Sequence, residues 1–193
     1  MLYDTIIIGG GVTGISIARE LSRYRLKVAV LEKEEELAFG VSKSNSGIIH
    51  PGTQNRPSSL KGRLCVEGNA LTRRVARELG VDFKEVGELI VAFSQDEAAG
   101  LLGLKKDAQL LGVKRMEIVD KTWLKKNEPN LSQEAVAALH APDAGIISPY
   151  RWVYDMSENA ARNGVEIHTM TKVENVAALG RADFEILTTR GVF

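Results

Sequence analysis

Three glycines and a glutamate near the N-terminus have the types and spacing of a site for nucleotide phosphates. Gly9, Gly11 and Gly14 form the pattern Gly-x-Gly-x-x-Gly, and Glu32 follows Gly11 by 21 residues. In such a pattern glycine permits a tight turn, lets a pyrophosphate approach the backbone and allows a helix to pack close to a strand. Backbone N–H groups and the positive end of the helix dipole then face the phosphates. The four residues therefore predict pyrophosphate binding, with the Glu32 carboxylate accepting both hydroxyls of an adenosine ribose.

The sequence around the glycines predicts the elements that this chemistry requires. An unbroken apolar run ends at Ile8 and predicts a strand buried on both faces, a helix follows to about Tyr24, and residues 27–32 predict a second strand. A plain glycine turn beside a surface glutamate is the alternative, and the position of Glu32 at the end of the second strand favours the nucleotide site. A carboxylate there would repel a 2′-phosphate, which disfavours NADP.

A polar, glycine-containing loop follows the second strand. Residues 39–59 combine hydroxyls, an amide, a lysine and several glycines and prolines. An irregular stretch this long inside a compact domain usually has a binding role, because its backbone polar groups need partners. We expect the loop to line a further part of an extended pyrophosphate and to approach a flat ring, which favours FAD over NAD. A hydrophilic surface loop is the alternative.

The remaining sequence predicts a second layer and then a return to β-α-β organisation. A helix is predicted from about Ser58 to Leu79, with Leu64 and Leu71 on its apolar stripe and Gly80 as its end. Residues 83–141 predict alternating short strands and helices. After Pro149 we predict a helix, a strand and a β-hairpin.

The composition excludes several other classes of protein. The chain has 193 residues, with 25 Lys plus Arg and 25 Asp plus Glu, so its formal net charge is zero. Nucleic acids and anionic membrane surfaces need a clustered basic excess, so neither is a predicted partner. The longest apolar runs are only a few residues, which predicts no integral membrane segment. A single cysteine and an N-terminus without a basic segment predict a cytoplasmic protein, with peripheral association with a membrane left open.

These residues resemble the D-amino-acid oxidase and glycine oxidase superfamily of FAD-dependent oxidoreductases. Within it, the sequence is most similar to anaerobic-type glycerol-3-phosphate dehydrogenases and to L-2-hydroxyglutarate oxidases. The glycine turn, the run Leu31-Glu32-Lys33 and the run from Ser42 to Gly52 carry the resemblance. The resemblance implies an α/β fold with a Rossmann-like FAD-binding domain of the glutathione-reductase type. We place this incomplete domain at residues 1–82 and 142–193, and part of an α+β substrate-binding layer at residues 83–141.

The resemblance also implies site residues. Gly9, Gly11 and Gly14 would hold the pyrophosphate of FAD, and Glu32 the adenosine ribose, with Lys33 as a further cofactor-binding residue. The loop would line the pyrophosphate and the flavin through five residues: Ser42, Lys43, Ser44, Asn45 and Ser46. Val173 would contact the adenine through its backbone. No metal ligand is predicted.

The implied reaction removes a hydride from the carbinol carbon of glycerol 3-phosphate or a related anionic 2-hydroxy acid. His50 is the histidine within the loop and the candidate base for the hydroxyl proton. The alternative role for His50 is to bond loop backbone or to orient the flavin.

Family members are about twice as long as this chain. We therefore expect the chain to be the N-terminal half of such an enzyme, with a companion polypeptide as one possible source of the rest. The alternative function is a non-catalytic subunit or fragment that binds a flavin or nucleotide and needs a second polypeptide to form the active site.

Overall fold

A parallel β-sheet forms the centre of the first of two units in the computed structural model, which describes residues 2–193. This first unit comprises the residues up to Ser46 together with Ser148–Phe193, and the second unit comprises Gly47–Ile147. The predicted domain boundaries at 82/83 and 141/142 differ from this division, because the helix that follows the polar loop belongs to the second unit. The assignment of a cofactor role and a substrate role to the two parts stays a prediction.

The parallel sheet has the order β1-β2-β9, where β1 is Thr5–Ile8, β2 is Val28–Leu31 and β9 is Glu166–His168. All four residues of β2 are buried, as expected of a strand with a neighbour on each side. Among the described residues, β1 has a strand neighbour on one side only, and Ile8 is 58% exposed. The predicted strand–helix–strand unit is confirmed, although β1 is less buried than predicted.

Two helices of the first unit pack on each other. These are α1 (Val12–Leu21) and α5 (Pro149–Arg162), and the Ser16 hydroxyl of α1 donates to the Met156 sulfur of α5 at 3.7 Å. Ile15 of α1 is fully buried in the core of this unit. A proline begins α5, where its missing N–H and fixed φ are tolerated.

The end of the chain forms a small antiparallel sheet in the first unit. Strands β10 (Val173–Ala178) and β11 (Phe184–Thr188) pair as the predicted hairpin, and a short strand β12 (Gly191–Val192) pairs with β11. The hairpin prediction is confirmed, and β12 extends it by one strand.

The second unit contains two three-stranded antiparallel sheets and three helices. One sheet has the order β3-β8-β4 and the other the order β5-β7-β6. The elements in chain order are β3 (Ile48–Ile49), α2 (Leu60–Leu79), β4 (Phe83–Lys84), β5 (Glu88–Ala92), α3 (Gln95–Leu110), β6 (Glu117–Asp120), α4 (Lys121–Asn127), β7 (Ala137–Ala141) and β8 (Gly145–Ile147).

Side-chain caps set where the helices of the second unit begin. Ser59, Ser94 and Asp120 each accept the backbone N–H of the residue three positions later, which satisfies one of the free donors of a helix N-terminus. Helix α2 ends at Gly80 in the left-handed conformation, as predicted.

The predicted apolar stripe of α2 is not its buried face. Leu64 and Leu71 are 50% and 48% exposed, whereas Gly62, Asn69 and Ala76 are buried. The buried residues are small or polar because other parts of the unit approach the helix closely there. A Cβ on Gly62, for example, would lie 2.9 Å from a carbonyl oxygen. Among residues 2–193, none of the helices combines the length and apolar character needed to cross a membrane.

Candidate functional site

The glycine turn connects the end of β1 to the start of α1. Gly9 has φ of 110°, a left-handed conformation that side chains rarely adopt, and its N–H donates to the Leu31 carbonyl at 2.8 Å. Gly14 lies in the first turns of α1, and a Cβ there would come within 2.0 Å of the Gly9 carbonyl oxygen. Both glycines are therefore required by the backbone itself, and they hold the first turn of α1 against the end of β1.

The predicted loop residue Ser42 lies at the start of α1. Its hydroxyl accepts the N–H of Val12 at 2.9 Å, which is one of the donors that the first turn of a helix leaves free. A Cβ on Gly11 would lie 3.0 Å from the same hydroxyl oxygen. The structure thus brings Gly11 and Ser42 together, with backbone and hydroxyl donors on a helix N-terminus of the kind that binds phosphate.

Glu32 lies beside the turn at the end of β2. One carboxylate oxygen accepts the N–H of Gly10 at 2.7 Å, and the other accepts the N–H of Glu34 at 2.9 Å. The backbone of Glu32 is bonded on both sides, since its N–H donates to the His168 carbonyl and its carbonyl accepts the N–H of Thr171. The carboxylate is therefore held at a defined place next to the glycines.

Sequence reasoning missed two residues that shape this turn. A Cβ on Gly10 would lie 2.4 Å from the Leu37 side chain, which would have to move to admit it. The Gly10 carbonyl accepts the N–H of Ala38 at 3.0 Å, and Ala38 itself has φ of 62°. The run of three glycines was the available signal for Gly10, whereas nothing in the local sequence marked Ala38.

The remaining predicted residues of this unit do not all converge on the turn. Lys33 pairs with Glu34, and the Lys43 ammonium lies 4.2 Å from the centre of the Phe39 ring and 3.6 Å from Glu36. The Asn45 amide donates to the carbonyls of Val41 and Ser42 and so closes its own loop. Ser44 and Ser46 are exposed, and Val173 begins β10 two residues after the Thr171 contact with Glu32.

The candidate base His50 belongs to the second unit, where it follows β3. Its Nδ1 lies 2.8 Å from one carboxylate oxygen of Glu88, and the Thr53 hydroxyl donates to the other. The His50 carbonyl accepts the Cys65 thiol at 3.4 Å and the Asn69 amide at 3.3 Å. Both the ring and the backbone of His50 are therefore held by other residues of this unit.

Burial raises the pKa of the Cys65 thiol, and the nearby Glu88 carboxylate raises it further. A thiol with a raised pKa is a weak nucleophile at neutral pH, so Cys65 acts as a hydrogen-bond donor to the loop. The thiol lies beside the His50 carbonyl.

Comparisons with known proteins identify the family. The model of the FAD dependent oxidoreductase family called DAO matches residues 4–192. A glycerol 3-phosphate dehydrogenase from Caloramator mitchellensis is 41% identical over 175 residues, which are 91% of this chain and 36% of the relative. A mitochondrial L-2-hydroxyglutarate dehydrogenase from Caenorhabditis elegans is 37% identical over 91% of this chain and 40% of its own length.

Solved structures give the same result for the fold. The L-alpha-glycerophosphate oxidase from Mycoplasma pneumoniae, with FAD bound, superposes with a TM-score of 0.93 at 32% identity, over 97% of this chain and 50% of that one. Glycine oxidase from Geobacillus kaustophilus gives a TM-score of 0.89 at 27% identity, over 99% of this chain and 52% of that one. The chain spans between about a third and a half of the length of these relatives.

The chain belongs to the family of FAD dependent oxidoreductases, and FAD is the cofactor of that family. The resemblance and the α/β fold class predicted from the sequence are confirmed.

Proposed function

We propose that this chain is the FAD-binding portion of an oxidoreductase that dehydrogenates glycerol 3-phosphate or a related 2-hydroxy acid. One observation carries the proposal: a glycine turn, a ribose-binding type of carboxylate and a loop hydroxyl meet at the N-terminus of α1. A turn that only connected a strand to a helix would not require the Glu32 carboxylate to be hydrogen-bonded beside the glycines.

The residues of the turn fit the ADP part of FAD. Gly11 has no side chain where a pyrophosphate would approach, and the Ser42 hydroxyl, which accepts the Val12 N–H, keeps its own proton to donate there. Glu32 would accept the ribose hydroxyls, since its carboxylate already lies at the turn. Ser44, Asn45 and Ser46 follow on the same loop and are proposed to line the rest of the cofactor. For Lys33, Lys43 and Val173, the role in binding FAD also stays a proposal.

The substrate class is inferred from the names of two relatives. One is named a glycerol 3-phosphate dehydrogenase and another an L-2-hydroxyglutarate dehydrogenase. Both named substrates are secondary alcohols that carry a phosphate or carboxylate, so an anionic 2-hydroxy compound is the proposed substrate.

Oxidation of a secondary alcohol to a ketone removes a hydride from carbon and a proton from the hydroxyl. Bound FAD supplies the two-electron acceptor for the hydride. A protein group must accept the proton, and we assign this role to the imidazole of His50. The Glu88 carboxylate beside Nδ1 would stabilise the positive charge that His50 gains.

Residues beyond those of this chain, in the same or a separate polypeptide, are proposed to complete the active site. The relatives are two to three times as long as the segment they share with this chain. Within the described residues, β1 is an edge strand with which a further strand could pair, and the exposed leucines of α2 supply apolar surface that further chain could cover.

A titration of the purified chain with FAD and with FMN tests the cofactor assignment. FMN lacks the AMP part of FAD, so we expect FAD to bind at least about tenfold more tightly, which corresponds to about 1.4 kcal/mol. Gly11→Ala should weaken FAD binding by about tenfold or more, because its methyl group would lie 3.0 Å from Ser42 Oγ where the pyrophosphate approaches.

Gly100→Ala is the matched control, since a Cβ at Gly100 has no neighbour within 4 Å. Equal affinity of the two variants for FAD would reject the assignment of the turn. A chain that binds FAD but, when supplied with the rest of a relative, oxidises none of glycerol 3-phosphate, L-2-hydroxyglutarate or lactate would favour the alternative of a non-catalytic flavin-binding subunit.

A further inference from the structure

A carboxylate that the sequence did not single out contacts the ring of His50, and a hydroxyl donates to that carboxylate. Glu88 is the first residue of β5, and its side chain is 14% exposed, whereas the His50 side chain is 51% exposed. Thr53, which donates to Glu88, is 1% exposed. The buried side of the imidazole is therefore its Nδ1 edge, and solvent or a ligand reaches the rest of the ring.

Hydrogen-bond chemistry decides which ring nitrogen carries the proton. An ionised carboxylate only accepts, so the contact of 2.8 Å requires His50 to donate from Nδ1. The Thr53 hydroxyl donates to the second carboxylate oxygen, which holds the carboxylate in the orientation that meets Nδ1. A neutral imidazole that donates from Nδ1 has its lone pair on Nε2.

The backbone of His50 is fixed independently of its side chain. Cys65 and Asn69 of α2 both donate to the His50 carbonyl, and Asn69 also donates to the carbonyls of Ile49 and Asp143. Because Asn69 is buried, these contacts hold the segment after β3 against α2. Within the described residues 2–193, no hydrogen-bond partner lies on Nε2 of His50.

We propose that Glu88, oriented by Thr53, is a positioning residue that fixes His50 in the Nδ1–H tautomer and so presents Nε2 as the proton acceptor. The inference deepens the proposed function and depends on it, because it assigns how His50 is prepared for its role there. In the step concerned, the O–H bond of the alcohol breaks, a bond forms between Nε2 and the proton, and the electron pair stays on oxygen. The Glu88 carboxylate then faces the resulting imidazolium across Nδ1.

Nuclear magnetic resonance of the chain labelled with 15N in histidine tests the tautomer directly, since protonated and unprotonated ring nitrogens have well separated shifts. The measurement is made at about pH 8, above the ordinary histidine pKa of about 6.5. The chain contains three histidines, and His50→Gln identifies the signals of His50 by their loss. We expect protonated Nδ1 and unprotonated Nε2 for His50.

Two variants test whether the partners of His50 set its tautomer in a chain that still folds. The double variant Thr53→Val with Glu88→Leu removes both hydrogen-bonding partners together, so no buried hydroxyl is left unpaired. In a chain whose amide spectrum shows it to be folded, the proton of His50 should shift toward Nε2. Glu88→Gln keeps an acceptor oxygen and should retain the Nδ1–H tautomer, so it rescues what the double variant loses.

The outcomes are distinguishable from those of the FAD titration. Protonated Nε2 on His50 in the original chain, or an unchanged tautomer in the folded double variant, would overturn the positioning role whether or not FAD binds. An Nδ1–H tautomer that depends on Glu88 in a chain that fails to bind FAD would support the positioning of His50 and reject the proposed function.

Discussion

The glycine turn of the first unit and the cluster of His50, Glu88 and Thr53 in the second unit, called the His50 cluster, are held by different kinds of contact. The shape of the turn is set mainly by backbone geometry, and most of its residues come from the short stretch of sequence around Gly9 and Gly14. The His50 cluster consists of side-chain contacts, and His50 meets Glu88 across 38 positions of sequence. Backbone requirements restrict which residue types can occupy a position, and this restriction leaves a visible pattern. Side-chain contacts between distant residues leave no such pattern.

The difference has a physical consequence for function. A phosphate site needs N–H groups in a fixed array, which glycines and a helix N-terminus supply without any particular side chain. A proton-accepting site needs one imidazole with a defined tautomer, and only side chains can set that. Substitutions should therefore act differently in the two regions, by steric exclusion at the turn and by loss of partners at the cluster.

The largest effect is expected from Gly14→Ala. Its Cβ would lie 2.0 Å from the Gly9 carbonyl oxygen, a backbone atom that cannot move without opening the turn. We expect a loss of about 3 kcal/mol in the free energy of unfolding, measured by urea denaturation. Gly100→Ala, at an open helical position, should instead be neutral or stabilise by up to about 1 kcal/mol. Similar urea concentrations at the midpoint of unfolding for the two variants would show that the turn is not tightly packed.

A smaller effect is expected at the cluster. Thr53→Val removes the buried hydroxyl that donates to Glu88, and we expect a loss of about 1–2 kcal/mol in the same denaturation experiment. Thr122→Val, at an exposed position of α4, is the control and should change stability by less than about 0.5 kcal/mol. If Thr53→Val were as mild as the control, the Thr53 contact with Glu88 would contribute nothing to the fold.

The loop hydroxyl at the turn is expected to matter less for stability. Ser42→Ala leaves the Val12 N–H without its acceptor, which should cost about 0.5–1 kcal/mol, because water can replace the hydroxyl at this exposed site. Ser44→Ala, two positions along the same loop, should have no measurable effect on unfolding. Equal losses in the two variants would remove the distinction between Ser42 and the rest of the loop.

The smallest effect concerns a side-chain contact within the first unit. The Tyr3 hydroxyl donates to Glu166 at 2.6 Å, and this hydrogen bond, with some burial, raises the pKa of Tyr3 from its ordinary value of 10.0 to about 12. The same hydrogen bond lowers the pKa of Glu166. Since the folded pKa of Tyr3 is raised, its stabilisation is complete below pH 10 and is lost as the pH rises toward about 12.

Spectrophotometric titration of tyrosinate in the folded chain measures this shift. The chain has four tyrosines, and we expect one late-ionising tyrosine that is absent in Tyr3→Phe. Tyr24→Phe is the control, because it should leave the late ionisation unchanged. A late ionisation that persists in Tyr3→Phe would contradict the assignment to Tyr3.

The comparison also explains which features could be predicted from the sequence. The first strand–helix–strand unit and the end of α2 at Gly80 depend on local residue types, and the structure has them where they were predicted. The buried face of α2 could not be predicted from its leucines, because close approach by other elements selects small and polar residues such as Gly62 and Asn69.

The residues of the candidate site also fall into those that the sequence predicted and those that it did not. Gly9, Gly14 and Glu32 follow from the spacing of one motif, and the structure brings them together. Glu88 could not be found from sequence alone, because Glu88 begins β5 of one sheet, whereas His50 follows β3 of the other sheet. Nothing in the local sequence around Glu88 distinguishes it from the other glutamates of the chain.

The central claim is that the glycine turn, with Glu32 and Ser42, holds the nucleotide part of FAD. Amide hydrogen exchange of the chain with and without saturating FAD tests it most directly, because it reports protection residue by residue. We expect FAD to protect the amides of residues 10–14, 32–34 and 42–46 and to leave α3 and α4 unchanged. FAD binding without protection of residues 10–14 would contradict the account.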